Sequence, residues 1–130
     1  MPWYELCIQT HFSAAHQLRG YSGDCARLHG HNWHVKLFVA CEQLDDLGMG
    51  VDYKILKHEL KEAISIWDHY HLNDIPPFDT INPTSENVAR LLFERMTEAL
   101  NNERVQVTRV EIAETCAARV TYHAGRGNRG

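Results

Sequence analysis

The sequence predicts an α+β domain whose elements follow in the order β-β-α-α-β-β. Near the start, two segments alternate apolar and polar residues with the period of two that is typical of a β-strand. In the middle, apolar residues recur every three to four positions, as in amphipathic helices, and the last third alternates again. Strands grouped on either side of a helix pair are typical of the α+β class.

The first two strands are predicted over residues 3–12 and 32–42. In the first, the even-numbered residues from Tyr4 to Phe12 share one side, and in the second the odd-numbered residues do. Cys7 and Cys41 fall within these strands, where a free cysteine usually behaves as a small buried hydrophobic residue. We therefore expect both thiols to be buried.

Two helices are predicted from their start signals and their apolar stripes. Asp52 suits the N-cap of the first helix, and the segment Asn82-Pro83-Thr84-Ser85-Glu86 supplies start signals for the second, which ends near Asn101. The buried stripes are Leu56, Leu60, Ala63, Ile64 and Trp67 in the first helix, and Val88, Leu91, Leu92, Met96, Ala99 and Leu100 in the second.

The last two strands are predicted over residues 106–114 and 119–123, joined by a short turn. Strict alternation would place Thr108, Val110, Ile112 and Glu114 on one side of the sheet. Residues 1–124 are expected to form a single domain, and the Gly- and Arg-rich residues 125–130 a mobile tail with nothing to bury.

The composition indicates which class of partner the protein binds and in which compartment it is found. A formal net charge of −4 and a pI near 6.1 give no basic field for nucleic acid or an anionic membrane, so a small-molecule partner is favoured. No apolar run approaches the length of a membrane span, and the first five residues lack the features of a signal peptide. The four cysteines contain no CxxC pair and are interpreted as thiols of a cytoplasmic protein.

A metal site is predicted from histidines in two neighbouring segments. If the chain is extended from His29 onward, His29 and His31 point to the same side, as two ligands of a tetrahedral metal must. His16 is the candidate for a third ligand. Three histidines would leave a fourth position for water or substrate, which is the catalytic pattern for zinc. With Cys25 as a fourth ligand the site would instead be structural.

Two other groups are candidates for chemistry. Asp68 and His69 match an orienting carboxylate and the imidazole it polarises, and such a pair could accept a proton from Cys25. Glu114 lies near the end of a strand with apolar neighbours, where a carboxylate is either an exposed strand-end charge or a group held for a ligand. It could accept two hydrogen bonds from an amino-pyrimidinone edge.

Five ordered motifs together resemble the 6-pyruvoyltetrahydropterin synthase/QueD family, and the match covers residues from about Tyr4 to Tyr122. The motifs are Phe12-Ser13-Ala14-Ala15-His16, Cys25-x3-His29-Gly30-His31, Asp68-His69-x2-Leu72-Asn73, Asn82-Pro83-Thr84-Ser85-Glu86 and Glu114-Thr115-Cys116. The resemblance implies the tunnelling fold (T-fold), in which two helices cover one face of an antiparallel four-stranded sheet. It also implies a homo-oligomer, a hexamer built from two trimers.

The resemblance also implies a role for each site residue. His16, His29 and His31 would hold Zn²⁺, Cys25 would abstract a proton, Asp68 and His69 would relay it, and Glu114 with Thr115 would bind the pterin. His71 is a second, weaker candidate for the relay.

Within the family, a spacer of three residues between Cys25 and His29 resembles the branch that makes 6-carboxytetrahydropterin for queuosine (7-deazapurine) biosynthesis. The implied activity is that of a zinc-dependent carbon–carbon lyase converting 7,8-dihydroneopterin triphosphate to 6-carboxy-5,6,7,8-tetrahydropterin, acetaldehyde and triphosphate. Two alternatives stay open. One is the pyruvoyl branch, a triphosphate lyase, and the other is a non-catalytic protein that binds zinc or a pterin.

Overall fold

The computed structural model of the chain describes residues 2–23 and 26–125. The elements are β1 (Tyr4–His16), β2 (His29–Cys41), α1 (Tyr53–Ile64), β3 (Tyr70–His71), α2 (Ser85–Leu100), β4 (Val105–Thr115) and β5 (Ala118–His123), with a short 3-10 helix (Leu72–Asp74) after β3. All strands belong to one sheet in the order β3-β1-β2-β4-β5. The predicted α+β class is confirmed.

The four long strands are antiparallel to their neighbours, as the family resemblance implies. The sheet nevertheless has a fifth strand, because the two residues of β3 pair in parallel with Ala14 and Ala15 of β1. The prediction of four strands was therefore incomplete. A strand of two residues has no measurable period, so its pairing depends on a tertiary contact that the local pattern does not carry.

Both helices pack on one face of the sheet, and one core lies between the two layers. The inward residues of β1 and β2 are buried as predicted, from Ile8 and Phe12 to Trp33 and Val39. Phe12 and Trp33 stack with their ring centroids 5.8 Å apart. Burying a large apolar side chain of this kind contributes about 1.5–3 kcal/mol. This packing fixes the sheet from which the site histidines project.

The two predicted helix starts are confirmed by their caps. The Asp52 side chain accepts a hydrogen bond from the Lys54 N–H at 2.9 Å, and the Thr84 hydroxyl accepts one from the Asn87 N–H at 3.1 Å. Each cap satisfies a backbone donor that the first turn of a helix leaves without a partner. Asn101 ends α2, as predicted.

Two irregularities in β4 change the predicted alternation. The pairing of β2 with β4 shifts between Phe38 and Val39, which leaves Thr108 as the extra residue. The Thr108 hydroxyl then bonds Glu5 on the face away from the helices, so its predicted place beside Val110 was wrong. A second shift, in the pairing with β5, makes Glu114 the extra residue of a bulge.

The prediction for the strand cysteines is half right. Cys41 is buried, whereas Cys7 is exposed because it lies on the sheet face that no helix covers. The predicted tail, except for Gly125, lies outside the described residues, and so does Cys25. Among residues 2–23 and 26–125, no helix combines the length and the apolar character needed to span a membrane.

Candidate active site

Three histidines come together where β1 ends and β2 begins. His16 pairs across the ladder with His29, and His31 lies two residues further along β2, so the period of two points all three side chains the same way. One potential ligand atom from each ring lies within 4.8 Å of the other two. The ring centroids of His16 and His29 are 4.5 Å apart. The predicted metal ligands therefore form a single cluster.

Backbone carbonyls orient two of these imidazoles. His16 Nδ1 lies 2.7 Å from the carbonyl oxygen of Pro83, and His29 Nδ1 lies 2.7 Å from that of Arg27. A carbonyl oxygen can only accept, so each Nδ1 carries the proton and each Nε2 keeps its lone pair. Histidines that bind metals are commonly held in this way by a hydrogen bond from the other ring nitrogen.

Two nitrogens of the cluster are shielded from solvent. Neither His16 Nε2 nor His31 Nε2 has a hydrogen-bond partner within the described part of the chain. Burial also lowers the pKa of both imidazoles below the ordinary value of 6.5, which keeps them neutral at neutral pH. Neutral, converging and unsatisfied imidazole nitrogens fit a divalent transition metal such as zinc.

Glu114 lies beside this cluster. Its Oε1 accepts a hydrogen bond of 2.7 Å from the Ser85 hydroxyl at the start of α2, and its Oε2 lies 3.6 Å from His31 Nε2. The negative charge opposes the effect of burial on the pKa of His16 and His31. The β4 bulge and the hydrogen bond from Ser85 thus direct the Glu114 carboxylate towards the three histidines. This excludes the alternative in which Glu114 is an exposed charge at the end of the strand.

Asp68 and His69 form a pair that is held against the Ser13 backbone of β1. Asp68 Oδ1 lies 3.0 Å from His69 Nδ1 and also accepts a 3.0 Å hydrogen bond from the Ser13 N–H. The His69 N–H donates to the Ser13 carbonyl, and the His69 backbone has a φ of 68°. The His69 side chain is 81% exposed. The predicted pair therefore exists, with its imidazole presented to solvent at the β1 edge of the sheet.

Two further predicted site residues are His71 and Thr115. His71 Nδ1 lies 3.5 Å from Asp74 Oδ2, and His71 Nε2 is buried with no hydrogen-bond partner among the described residues. Thr115 is exposed, and its hydroxyl accepts a 3.2 Å hydrogen bond from the Ala117 N–H.

Sequence reasoning missed the groups that hold the site residues in place. They are the carbonyls of Arg27 and Pro83, the hydroxyl of Ser85 and the backbone of Ser13. It also missed Trp33, whose ring meets His16 and His31 edge-on at 4.8 and 5.6 Å. Carbonyls have no sequence signature, but Ser85 lies in a motif that the sequence analysis had singled out.

Comparison with known proteins gives a match to a family model and to characterised relatives. The model described as 6-pyruvoyl tetrahydropterin synthase matches residues 5–125. The 6-carboxy-5,6,7,8-tetrahydropterin synthase of Synechocystis sp. is 36% identical over 120 residues, covering 88% of this chain and 89% of that protein. The protein of the same name from Bacillus subtilis is 33% identical over 131 residues, covering 95% and 88%.

A solved structure agrees with these matches. The 6-pyruvoyl tetrahydropterin synthase of Caenorhabditis elegans superposes with a TM-score of 0.84 at 32% identity, covering 96% of this chain and 98% of that one. The likeness spans the sheet, both helices and the segments that carry the histidine cluster. The chain belongs to the 6-pyruvoyl tetrahydropterin synthase family, and it is an enzyme with the T-fold of that family.

Proposed function

We propose that this enzyme is a zinc-dependent carbon–carbon lyase that converts 7,8-dihydroneopterin triphosphate to 6-carboxy-5,6,7,8-tetrahydropterin, acetaldehyde and triphosphate. The observation that carries the proposal is the cluster of His16, His29 and His31, with converging, unsatisfied nitrogens beside a carboxylate. The relatives named 6-carboxy-5,6,7,8-tetrahydropterin synthase and the three-residue spacer after Cys25 support this branch of the family.

The three histidines would hold the zinc ion through their Nε2 atoms, with Pro83 and Arg27 fixing two of the rings. When bound, zinc supplies Lewis acidity that lowers the pKa of the hydroxyls on the substrate side chain. Trp33 closes the apolar side of the cluster and keeps the His16 and His31 rings from turning away.

Glu114 would anchor the pterin by accepting two hydrogen bonds from its amino-pyrimidinone edge, assisted by Thr115. A carboxylate held at one oxygen by Ser85 keeps a fixed direction, so the substrate side chain would be aimed at the histidines. This contact is expected to strengthen binding more than turnover, because it does not change during the reaction.

Cys25 would act as the base that removes a proton from the substrate side chain. Asp68 orients His69 through Nδ1, which leaves His69 Nε2 to exchange protons with Cys25 or the substrate. The exposure of the His69 side chain supports a site that a neighbouring copy completes. We accordingly propose a homo-oligomer, a hexamer of two trimers, as in the family resemblance.

The proposed setting is the cytoplasm, in a pathway that leads to queuosine. Cys7, Cys41 and Cys116 are free thiols, which suits a reducing compartment.

The decisive test is the product. Zinc-loaded enzyme is incubated with 7,8-dihydroneopterin triphosphate, and acetaldehyde is measured by coupled reduction with NADH while the pterin is identified by mass spectrometry. We expect stoichiometric amounts of acetaldehyde and 6-carboxytetrahydropterin. Enzyme denatured before addition of substrate serves as the control for spontaneous breakdown.

The second candidate is 6-pyruvoyl tetrahydropterin synthase activity, which the likeness to the Caenorhabditis elegans enzyme favours. That reaction would use the same metal cluster and release triphosphate. A pyruvoyl pterin without acetaldehyde would select it and reject the proposed lyase. Binding of zinc or pterin with no product at all would select the non-catalytic alternative instead.

A further inference from the structure

Two asparagines from the family motifs have no part in the proposed chemistry, yet both grip the chain that follows His16. Asn73 Oδ1 accepts from the Gln17 N–H at 2.9 Å, and its Nδ2 donates to the Gln17 carbonyl at 3.0 Å. Asn82 makes the same two bonds with Arg19, both at 2.9 Å. Each side chain therefore binds the donor and the acceptor of a single residue.

This arrangement imitates a neighbouring β-strand. The ladder between β1 and β2 ends at the pair His16 and His29, so β2 does not pair the residues beyond. The pairing of β1 with β3 ends at Ala15 and His71, and Asn73 meets Gln17 two residues further along both segments. Arg19 already lies in a turn, and Asn82 supplies its backbone groups with the same kind of partner. The two carboxamides thus tie down the backbone that follows the last residue of β1.

The segment that contains Asn82 also orients the His16 ring. Asn82 is followed by buried Pro83, whose carbonyl oxygen lies 2.7 Å from His16 Nδ1. The Asn82 carbonyl in turn accepts a 2.8 Å hydrogen bond from Asn87 Nδ2 in the first turn of α2. Asn82 is therefore tied to the helix by its backbone and to Arg19 by its side chain, and these ties fix the direction of the next carbonyl.

The Arg19 side chain closes the connection. One guanidinium nitrogen donates to the carbonyls of Phe78 and Ile81 at 2.7 and 2.9 Å, so Arg19 is bound to the 78–82 segment through both backbone and side chain. The backbone of His16 is thus held by its own pairing with His29 and, one residue later, by the contact of Gln17 with Asn73.

We infer that Asn73 and Asn82 are positioning residues for the metal centre, which hold His16 in its ligating orientation through the backbone of Gln17, Arg19 and Pro83. The inference rests on the proposed function for the identity of the ion. It assigns a role to two motif residues whose side chains bond the backbone of Gln17 and Arg19 rather than the histidines or Glu114. Groups that orient metal ligands from outside the ligand shell typically change metal affinity about 10–100-fold when removed.

The test is zinc affinity, measured by competition with a chromogenic chelator on metal-free Asn73→Ala and Asn82→Ala proteins. The matched control is Asn102→Ala, because Asn102 Oδ1 also accepts two backbone hydrogen bonds, from Arg104 at 2.8 Å and Val105 at 2.9 Å, at the far end of α2. We expect about 10–100-fold weaker zinc binding for the first two variants and no change for the control. The absorption of bound Co²⁺ should report altered ligand geometry in the same two variants.

Folding is checked separately by thermal unfolding of the metal-free proteins. If an alanine variant does not fold, Asn73→Asp or Asn82→Asp, which still accepts from the backbone N–H but cannot donate to the carbonyl, replaces it in the same comparison. Zinc affinities equal to that of Asn102→Ala would overturn the positioning role. A wild-type protein that binds zinc tightly but yields no product would overturn the proposed lyase alone, whereas one that binds no zinc would overturn the metal centre and this role together.

Discussion

The cluster of three histidines and the Asp68–His69 pair are held in place in different ways. The cluster of His16, His29 and His31 is assembled by strand register, has buried nitrogens and donates hydrogen bonds to backbone carbonyls around it. The pair of Asp68 and His69 is fixed through Asp68 and the Ser13 backbone, while the His69 imidazole stays 81% exposed.

The contrast indicates how each group relates to its reaction. A cluster of ligands that is formed before a metal arrives binds it more tightly, because the entropy of ordering the ligands does not reduce the affinity. An exposed imidazole is accessible to substrate and solvent, as the proposed role of His69 in proton transfer requires. The histidine cluster is thus formed within one folded chain, whereas the His69 imidazole faces whatever approaches the chain.

The largest effect is expected from breaking the cluster, by His29→Ala. Removing one of three ligands should abolish stoichiometric zinc binding and, with the loss of several kcal/mol of transition-state stabilisation, lower kcat by about 10³-fold or more. Metal content after gel filtration and product formation measure the two losses. The matched control is His34→Ala on the exposed face of the same strand, which should keep both properties.

Cys25→Ala tests whether this cysteine belongs with the cluster or with the proton-transfer pair. If Cys25 is the base, its replacement should lower kcat/KM about 10³-fold and leave zinc binding intact. If Cys25 is a fourth ligand, its replacement should also abolish zinc binding. Zinc stoichiometry of the purified variant, measured together with turnover, distinguishes these outcomes, and loss of zinc would contradict the catalytic role.

His69→Asn is the corresponding test of the exposed pair. Asparagine tolerates the left-handed backbone at this position, so the variant removes the imidazole with little backbone strain. We expect kcat to fall about 10²-fold with zinc affinity unchanged. His71→Gln should change kcat less than twofold, as measured under the same conditions. The reverse pattern would transfer the relay to His71.

A smaller effect is expected in the pH dependence of stability of the metal-free protein. Burial lowers the pKa of His16 and His31 below 6.5, so the unfolded chain binds protons more readily than the folded one as the pH falls below that value. The free energy of unfolding should therefore decrease from pH 7 towards pH 5. Denaturant titrations at several pH values measure it, and saturating zinc should steepen the slope, because bound imidazoles accept no protons in the folded state whereas the unfolded chain still does.

Much of the fold was predictable because its signals are local. The alternation in β1 and β2, most of each helix stripe and the caps at Asp52 and Thr84 depend on residues a few positions apart. Two stripe residues were predicted wrongly, because Trp67 is buried beyond the end of α1 and Ala99 is exposed on α2. The β3 pairing and the two bulges of β4 were not predictable, since they depend on which residues of distant segments meet. Thr108 shows the cost of assuming strict alternation, because one extra residue reverses the side on which a strand residue lies.

The candidate site divides in the same way. His29 and His31 were predictable as a pair from their spacing, and His16 as a third ligand from its place between the predicted first strand and a Gly- and polar-rich loop. The carbonyl of Pro83 could not be predicted as its partner, since every residue has a carbonyl and only the fold selects one. The contact of Asp68 with the Ser13 backbone was equally hidden, because the order of motifs along the chain gives no distances.

The four residues from Asn82 to Ser85, which lead into α2, link the start of that helix to the site. Asn82 bonds Arg19, the Pro83 carbonyl accepts from His16, the Thr84 hydroxyl caps the helix and Ser85 donates to Glu114. Disrupting this segment would release the His16 ring and the Glu114 carboxylate together. A metal present at 100 times its Kd adds about 2.7 kcal/mol to the free energy of unfolding. Loading with zinc should therefore slow amide hydrogen exchange at the start of α2 more than at its end, so that the exchange rate there reports whether metal is bound.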